Sequence, residues 1–240
     1  MKFAVCLTNF GTYSDPRAAM RVAQAAEAAG WDGFFVWDHL AFVWGPPSGD
    51  PWVTLAAVAA STENLTLGTA VTPLPRRRPQ VVAQQVSTLE ALNDAPVVLG
   101  AGLGGNEKEF TQFGEAFEPH RRAALLDDGL ELVRTLWPGP IWVGGNSRPA
   151  LRRAARWDGW IANSVGRQGM TMTAGELARK AETIARRGFE IAVNGYSAPG
   201  DTDLRAEYAE AGATWWLENL SDLRFEPKDL LARVAAGPEG

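Results

Sequence analysis

Asp38-His39 closes a short apolar run, Gly33-Phe34-Phe35-Val36-Trp37. Histidine gains and loses a proton near neutral pH, so His39 can act as a general acid or base or contact a substrate. A structural histidine is the competing reading. Gly100-Ala101-Gly102-Leu103-Gly104-Gly105 matches G-x-G-x-x-G and runs into Asn106. Gly144-Gly145-Asn146-Ser147 is a second glycine-rich segment ahead of a helix. Backbone N–H groups at such a turn can approach an anion where the helix begins. Either segment could equally be a tight turn without a ligand. The dinucleotide fingerprint also needs an acid at the end of the next strand, about 20 residues on. Asp127 and Asp128 fall inside a helical stretch instead, which weakens that reading. Two such turns in one chain favour a phosphate-bearing cofactor.

These residues need a scaffold that brings them to one face. Strands are expected at Lys2–Thr8, Gly33–Trp37, Leu65–Val71, Pro96–Ala101, Ile141–Val143, Gly159–Asn163, Phe189–Asn194 and Ala213–Leu217. Helical stretches lie between them, and the last runs from Pro227 to Ala236. Asp15-Pro16 and Asp50-Pro51 read as N-caps followed by proline at the first helical position. Thr173-Ala174-Gly175-Glu176 matches a capping box. The strands are apolar without polar alternation, as when both faces are covered. Strand–helix alternation gives a parallel α/β sheet. Eight units favour a closed (β/α)8 TIM barrel over an open doubly wound sheet, as one domain over residues 1–240.

In such a barrel the chemistry sits at the C-terminal ends of the strands. That rule selects Thr8-Asn9, Asp38-His39, Thr69 to Thr72, Gly102 to Asn106, Gly144 to Ser147, Asn163, Asn194 and Glu218-Asn219. Asn9, Asp38 and Asn163 are candidate substrate contacts. Of the ten tryptophans, Trp31, Trp37, Trp137 and Trp157 read as packing. Trp44, Trp52, Trp160, Trp215 and Trp216 could line an apolar pocket. Lys2, Lys108, Lys180 and Lys228 are not at strand ends, which weakens a Schiff-base aldolase.

The 240 residues carry a net charge of −5, which argues against a nucleic-acid or anionic-membrane partner. The basic run Arg76-Arg77-Arg78 is too short for a nucleic-acid arm. Cys6 is the only cysteine and lies in the apolar run Phe3–Leu7, so a buried hydrophobe is expected rather than a reactive thiol. With His39 and His120 the only histidines, no metal site is expected. The opening apolar run is too short for a signal peptide or a membrane span, so a cytoplasmic protein is expected.

Several segments in order resemble the luciferase-like monooxygenase family. They are Ala25 to Gly33 with Trp37-Asp38-His39, Asp50-Pro51, Leu67 to Val71, Gln84 with Thr88-Leu89 and Leu92, Leu99 to Gly114, and Pro140 to Ser147 with Asp158-Gly159-Trp160. The resemblance covers residues 1 to 165 well and the remainder loosely. It implies FMN or the deazaflavin coenzyme F420, used for hydride transfer or monooxygenation of a small organic substrate. It further implies a non-prolyl cis peptide near Ala70-Val71 beside the cofactor ring, with Thr69, Ala70, Val71 and Gly102 among the contacts. The phosphate would sit on Gly144, Gly145, Asn146 and Ser147, with Asn106 or Arg77 nearby, and His39 would face the reactive ring edge. A homodimer is also implied. Members usually carry a long insertion before the fifth strand, where this chain has only Pro138 and Gly139 between helix and strand. Its absence predicts an open, shallow site and favours reductase over monooxygenase chemistry, because an oxygen adduct needs water excluded. A non-catalytic flavin-binding barrel and a lyase or isomerase acting on a phosphorylated metabolite are the alternatives.

Overall fold

The computed structural model describes residues 1–166, 169–184, 186–221 and 223–238. Eight parallel strands close into a barrel: β1 Lys2–Leu7, β2 Gly33–Val36, β3 Thr66–Thr69, β4 Val97–Gly102, β5 Ile141–Gly144, β6 Gly159–Asn163, β7 Glu190–Gly195 and β8 Trp215–Leu220. Each strand pairs with the next. β8 returns to β1 in register from Lys2↔Trp215 to Leu7↔Leu220. The helices outside are α1 Pro16–Ala28, α2 Pro51–Ala59, α3 Pro79–Glu90, the single turn α4 Lys108–Thr111, α5 Pro119–Leu136, α6 Arg148–Ala154, α7 Ala174–Ala181, α8 Thr202–Glu210 and α9 Pro227–Ala235.

The helix starts follow the local chemistry. Asp15 Oδ1 accepts from the Arg17 amide, and Asp50 Oδ1 accepts from the Trp52 and Val53 amides. Proline follows each cap, where a missing N–H costs nothing. The capping box forms at Thr173 and Glu176. Boundaries set by distant partners differ from the sequence expectation. The last strand starts two residues later than Ala213 and runs on to Leu220, because its length is fixed by pairing with β1 rather than by its own composition. The helix that the capping box starts runs from Ala174 to Ala181.

Successive side chains of a strand point to opposite faces, and both faces are filled here. Val5, Leu7, Phe34, Val36, Leu67 and Leu99 face the helices in the larger core. Ala4, Cys6, Phe35, Val98, Trp142, Ile161, Ala192, Trp215 and Leu217 fill the barrel interior. At its N-terminal end Phe35, Trp142 and Trp215 meet with ring centroids 5.6 to 6.1 Å apart. Gly100 lets β4 pass β3, since a β-carbon there would collide with the Thr69 carbonyl oxygen.

The connection Trp137–Pro140 between α5 and β5 lies at this N-terminal end, where Pro138 and Pro140 border the same hollow as Lys2 and Trp215. It therefore neither covers nor uncovers the opposite mouth. The expectation that a short connection here opens the site is corrected by the direction of the barrel, in which helix-to-strand links open on the face away from the strand C-termini.

Candidate active site

The C-terminal mouth holds a cavity of about 420 Å³, within the range of small-molecule and cofactor sites. Its floor is Ala70-Val71, joined by a non-prolyl cis peptide, as expected. Val71 is seated between two glycines. A β-carbon on Gly102 would stand 2.7 Å from Val71 Cγ2, and one on Gly144 would stand 2.8 Å from Val71 Cγ1. Both glycines thus leave room for a flat apolar floor. Trp37, Ile161 and Leu103 add apolar wall, and Asn163 and Asn194 add polar wall. The polar side continues inward, where Asn219 Nδ2 donates to Asn194 Oδ1 at 3.2 Å. Asn146 Oδ1, on a cavity residue, is buried and has no partner among the described residues.

His39 lines the cavity and is held from behind by charge. Its Nδ1 lies 2.6 Å from Glu109 Oε1. Glu109 Oε2 accepts from Arg76 Nη1 at 2.6 Å, and Arg76 Nη2 donates to both the carbonyl and Oδ1 of Asp38. Arg77 closes the chain through Nε to Asp38 Oδ2 at 2.7 Å and Nη2 to Asp38 Oδ1 at 2.8 Å. The side chains of Asp38, Glu109 and Arg76 are 1%, 2% and 5% exposed, against 30% for His39. Buried charges must be paired to be tolerated, and here each acid meets an arginine. Burial lowers the Arg76 pKa against the pull of Asp38 and Glu109, whereas Asp38 and Asp50 raise that of Arg77 despite its burial. With Nδ1 committed to Glu109, Nε2 is the ring nitrogen free to exchange a proton with a molecule in the cavity. The His39 backbone is fixed as well: Asn9 Oδ1 accepts from the His39 amide and Asn9 Nδ2 donates to the His39 carbonyl. The Trp44 ring packs edge-on, 5.3 Å from the imidazole centroid.

Several expected site residues come together at the cavity: Asp38, His39, Ala70, Val71, Gly102, Gly144, Gly145, Asn146, Ser147 and Asn163 line it. Thr69, Asn106 and Asn9 do not. Thr69 is fully buried below the floor, its hydroxyl bonded to the Gly100 carbonyl. Asn106 Oδ1 accepts from the Lys108 amide. Asn9 is buried and holds the His39 segment through two hydrogen bonds. The Asp38 carboxylate is taken by two arginines, and Arg77, bonded to it through Nε and Nη2, is not among the residues lining the cavity. In the second glycine turn the Gly145 amide bonds to the Ile161 carbonyl, and the Ser147 hydroxyl accepts from the Ala150 amide. Trp160 Nε1 donates to the Gly145 carbonyl and braces that turn from behind.

The G-x-G-x-x-G spacing has a packing origin at Gly100 and Gly102, and the helix after it is the single turn α4. Asp127 lies in α5, bonded to Arg153, so the dinucleotide reading is set aside. The tryptophan assignments are corrected in part. Trp37, read as packing, lines the cavity. Trp160 and Trp216 are buried in packing, whereas Trp52 borders a hollow beside α2 and α3 and Trp215 one at the N-terminal end, both away from the cavity. Glu218 points away from the cavity, bonded to Ser197 and Trp216, and burial pushes its pKa up. No lysine lines the cavity among the described residues.

Glu109 and Arg76 are the functional residues that the sequence reading missed. An arginine pair just past one strand end, facing an acid at the neighbouring strand end, was the signal for Arg76. Glu109 carries none, being 70 positions from the histidine it holds.

Residues 1–139 match the model of a family described as luciferase-like monooxygenase. The F420-dependent hydroxymycolic acid dehydrogenase of Mycobacterium tuberculosis is 35% identical over 175 residues, covering 59% of this chain and 48% of that protein. The F420-dependent glucose-6-phosphate dehydrogenase of Nakamurella multipartita is 33% identical over 182 residues, 62% of this chain and 52% of that one. The chain thus spans about half the length of these curated relatives. Among solved structures, an F420-dependent secondary alcohol dehydrogenase superposes with a TM-score of 0.74 at 17% identity, over 97% of this chain and 98% of that one, a likeness of fold.

Proposed function

The chain belongs to the luciferase-like monooxygenase family, and from that premise we propose that it is an oxidoreductase using F420 or FMN on a small organic substrate at the C-terminal mouth of the barrel. F420 is favoured over FMN because the relatives of Mycobacterium tuberculosis and Nakamurella multipartita are F420-dependent dehydrogenases. The residues present suit a flat tricyclic ring: an apolar floor at Ala70-Val71, glycines where side chains would displace Val71, and an unpartnered Asn146 Oδ1 on the wall. Gly144 to Ser147 would hold the cofactor's polar end. When bound, the coenzyme supplies or accepts a hydride.

The protein's own part is proton handling and positioning. His39 Nε2 takes the proton from a substrate hydroxyl during oxidation and returns it to a carbonyl oxygen during reduction. Glu109 keeps the ring oriented and faces the imidazolium that forms, while Arg76 keeps Glu109 in place. The observation that carries this reading is the 2.6 Å His39–Glu109 contact at the cavity wall. Hydride transfer is preferred to monooxygenation because the relatives are named dehydrogenases. Asn163 and Asn194 are the polar groups best placed to meet the substrate.

The proposal extends to a single-domain cytoplasmic protein over residues 1–240 that forms a homodimer. Exposed Val53 on α2 and Leu92 just past α3 offer apolar surface for pairing. No helix among the described residues is long and apolar enough to cross a membrane.

The test is a titration of the apoprotein with F420 and, separately, with FMN, following quenching of tryptophan fluorescence, since Trp37 lies on the cavity wall. Saturable binding of F420 at micromolar concentration is expected. Binding of neither would overturn the cofactor assignment.

A further inference from the structure

A second hollow, of about 700 Å³, separates α6 from α7 on the flank of the barrel. Its floor is apolar, with Leu151 and Ile184 each 7% exposed. Its rim is cationic, carrying Arg148, Arg152, Arg179 and Lys180 against one acid, Glu176. That acid is already engaged, since Glu176 Oε2 accepts from the Thr173 amide. Arg148 and Arg152 make no hydrogen bond or ion pair among the described residues. The opposite side of the same helical segment behaves differently. Arg153 and Arg156 both reach Asp127, and Arg156 also reaches Glu131. In a protein of net charge −5, the arginines toward α5 are neutralised and those toward the groove are not.

The groove also adjoins the active-site cavity. Lys180 Nζ, on the groove rim, donates to the Asn146 carbonyl at 3.0 Å, and Asn146 lines the cavity. Arg148 follows Ser147 of the cavity directly. A chain leaving the cavity over Asn146-Ser147 therefore enters a trough with four cations along its sides.

We propose that the α6–α7 groove is a subsite for an oligoanionic chain, of carboxylates or phosphate, carried by the ligand whose head occupies the cavity. Glu176 faces Arg179 and Lys180 alone, which leaves an excess of positive charge along the rim. Like charges so gathered repel one another, and an anionic chain relieves that repulsion. A nucleic acid is disfavoured by the small extent of the patch and by the net negative charge of the protein. The inference rests on the coenzyme reading above but adds a site outside the cavity.

The test compares full F420, with its phosphate- and glutamate-bearing tail, against the tail-less deazaflavin head. Both are titrated into the wild type and into Arg152→Ser/Arg179→Ser, whose altered side chains are exposed. The wild type is expected to bind the tailed coenzyme more tightly by about tenfold or more, as two or more exposed ion pairs allow. The variant is expected to lose most of that preference, while its affinity for the head stays unchanged. Raising the salt should erode the preference in the wild type only. Equal tail preference in both proteins would overturn the groove assignment. If the head itself fails to bind, the coenzyme reading falls and the groove is tested alone with tripolyphosphate by calorimetry. Binding to the wild type but not the variant supports the subsite, and no difference overturns it.

Discussion

The two ends of the barrel are closed by opposite means. At the N-terminal end Phe35, Trp142 and Trp215 fill the interior with stacked and edge-on rings. At the C-terminal mouth five charged or titratable side chains, His39, Glu109, Arg76, Asp38 and Arg77, form one bonded chain beside an open cavity. The first arrangement gains stability from burying apolar area and leaves nothing to react. The second bears the cost of desolvating charge, and pairing holds that cost in check so that one imidazole nitrogen faces the ligand. The same strands supply both ends. The candidate site is concentrated where residues continue past the strand C-termini into loops.

The sharpest way to break this comparison is to remove one group from each end. His39→Ala is expected to lower turnover by about 10²- to 10⁴-fold, the range of a lost general acid or base, with coenzyme affinity nearly intact. Trp142→Ala at the other end should lower stability by about 3–5 kcal/mol yet leave coenzyme affinity within a factor of two or so in the surviving folded protein. Steady-state rates, fluorescence titration and urea unfolding read these out. If Trp142→Ala abolished binding at full folding, the two ends would not be separable.

Next in size is Arg76→Met. It leaves Glu109 and part of Asp38 buried without their cation, a loss of about 3–5 kcal/mol in stability, with turnover reduced as well. Unfolding and activity measured on one preparation test this, and an unchanged pair of values would show that the charge chain is idle.

A smaller effect concerns Asp127 on the barrel flank. Its hydrogen bond from Arg153 lowers its pKa from the ordinary value. A depressed carboxylate contributes stability above its unfolded pKa and loses it as pH falls through the folded one. Asp127→Asn should therefore flatten the decline of stability below about pH 4, by about 1 kcal/mol or less because the acid is a third exposed. Denaturant midpoints from pH 3 to 7 decide it. The smallest signal is at Cys6, whose thiol burial pushes up to about 12. It should resist thiol reagents in the native protein and react once on unfolding; rapid native labelling would refute its burial.

Legibility in the sequence divided along the same axis. The barrel was readable because its signals are local: apolar runs of strand length, and Asp-Pro pairs whose carboxylates cap the next helix. His39 and both glycine turns were readable from their place after strands. Glu109 was not, because nothing in its neighbourhood records that it meets an imidazole 70 positions away. Alternation could have found Trp37, two residues after Phe35 on the inward face and therefore nearer the mouth. Trp215 misled because it stands at a strand start, at the far end from the cavity, and Trp160 because its ring lies behind the second glycine turn instead of on the cavity wall.

The most direct test is a crystal structure with F420 bound. The account predicts the deazaflavin ring lying on Ala70-Val71, its polar end toward Gly144 to Ser147, and His39 Nε2 facing the space above the ring with Nδ1 still on Glu109. A coenzyme bound away from that floor, or a His39 turned out of the cavity in the complex, would contradict it.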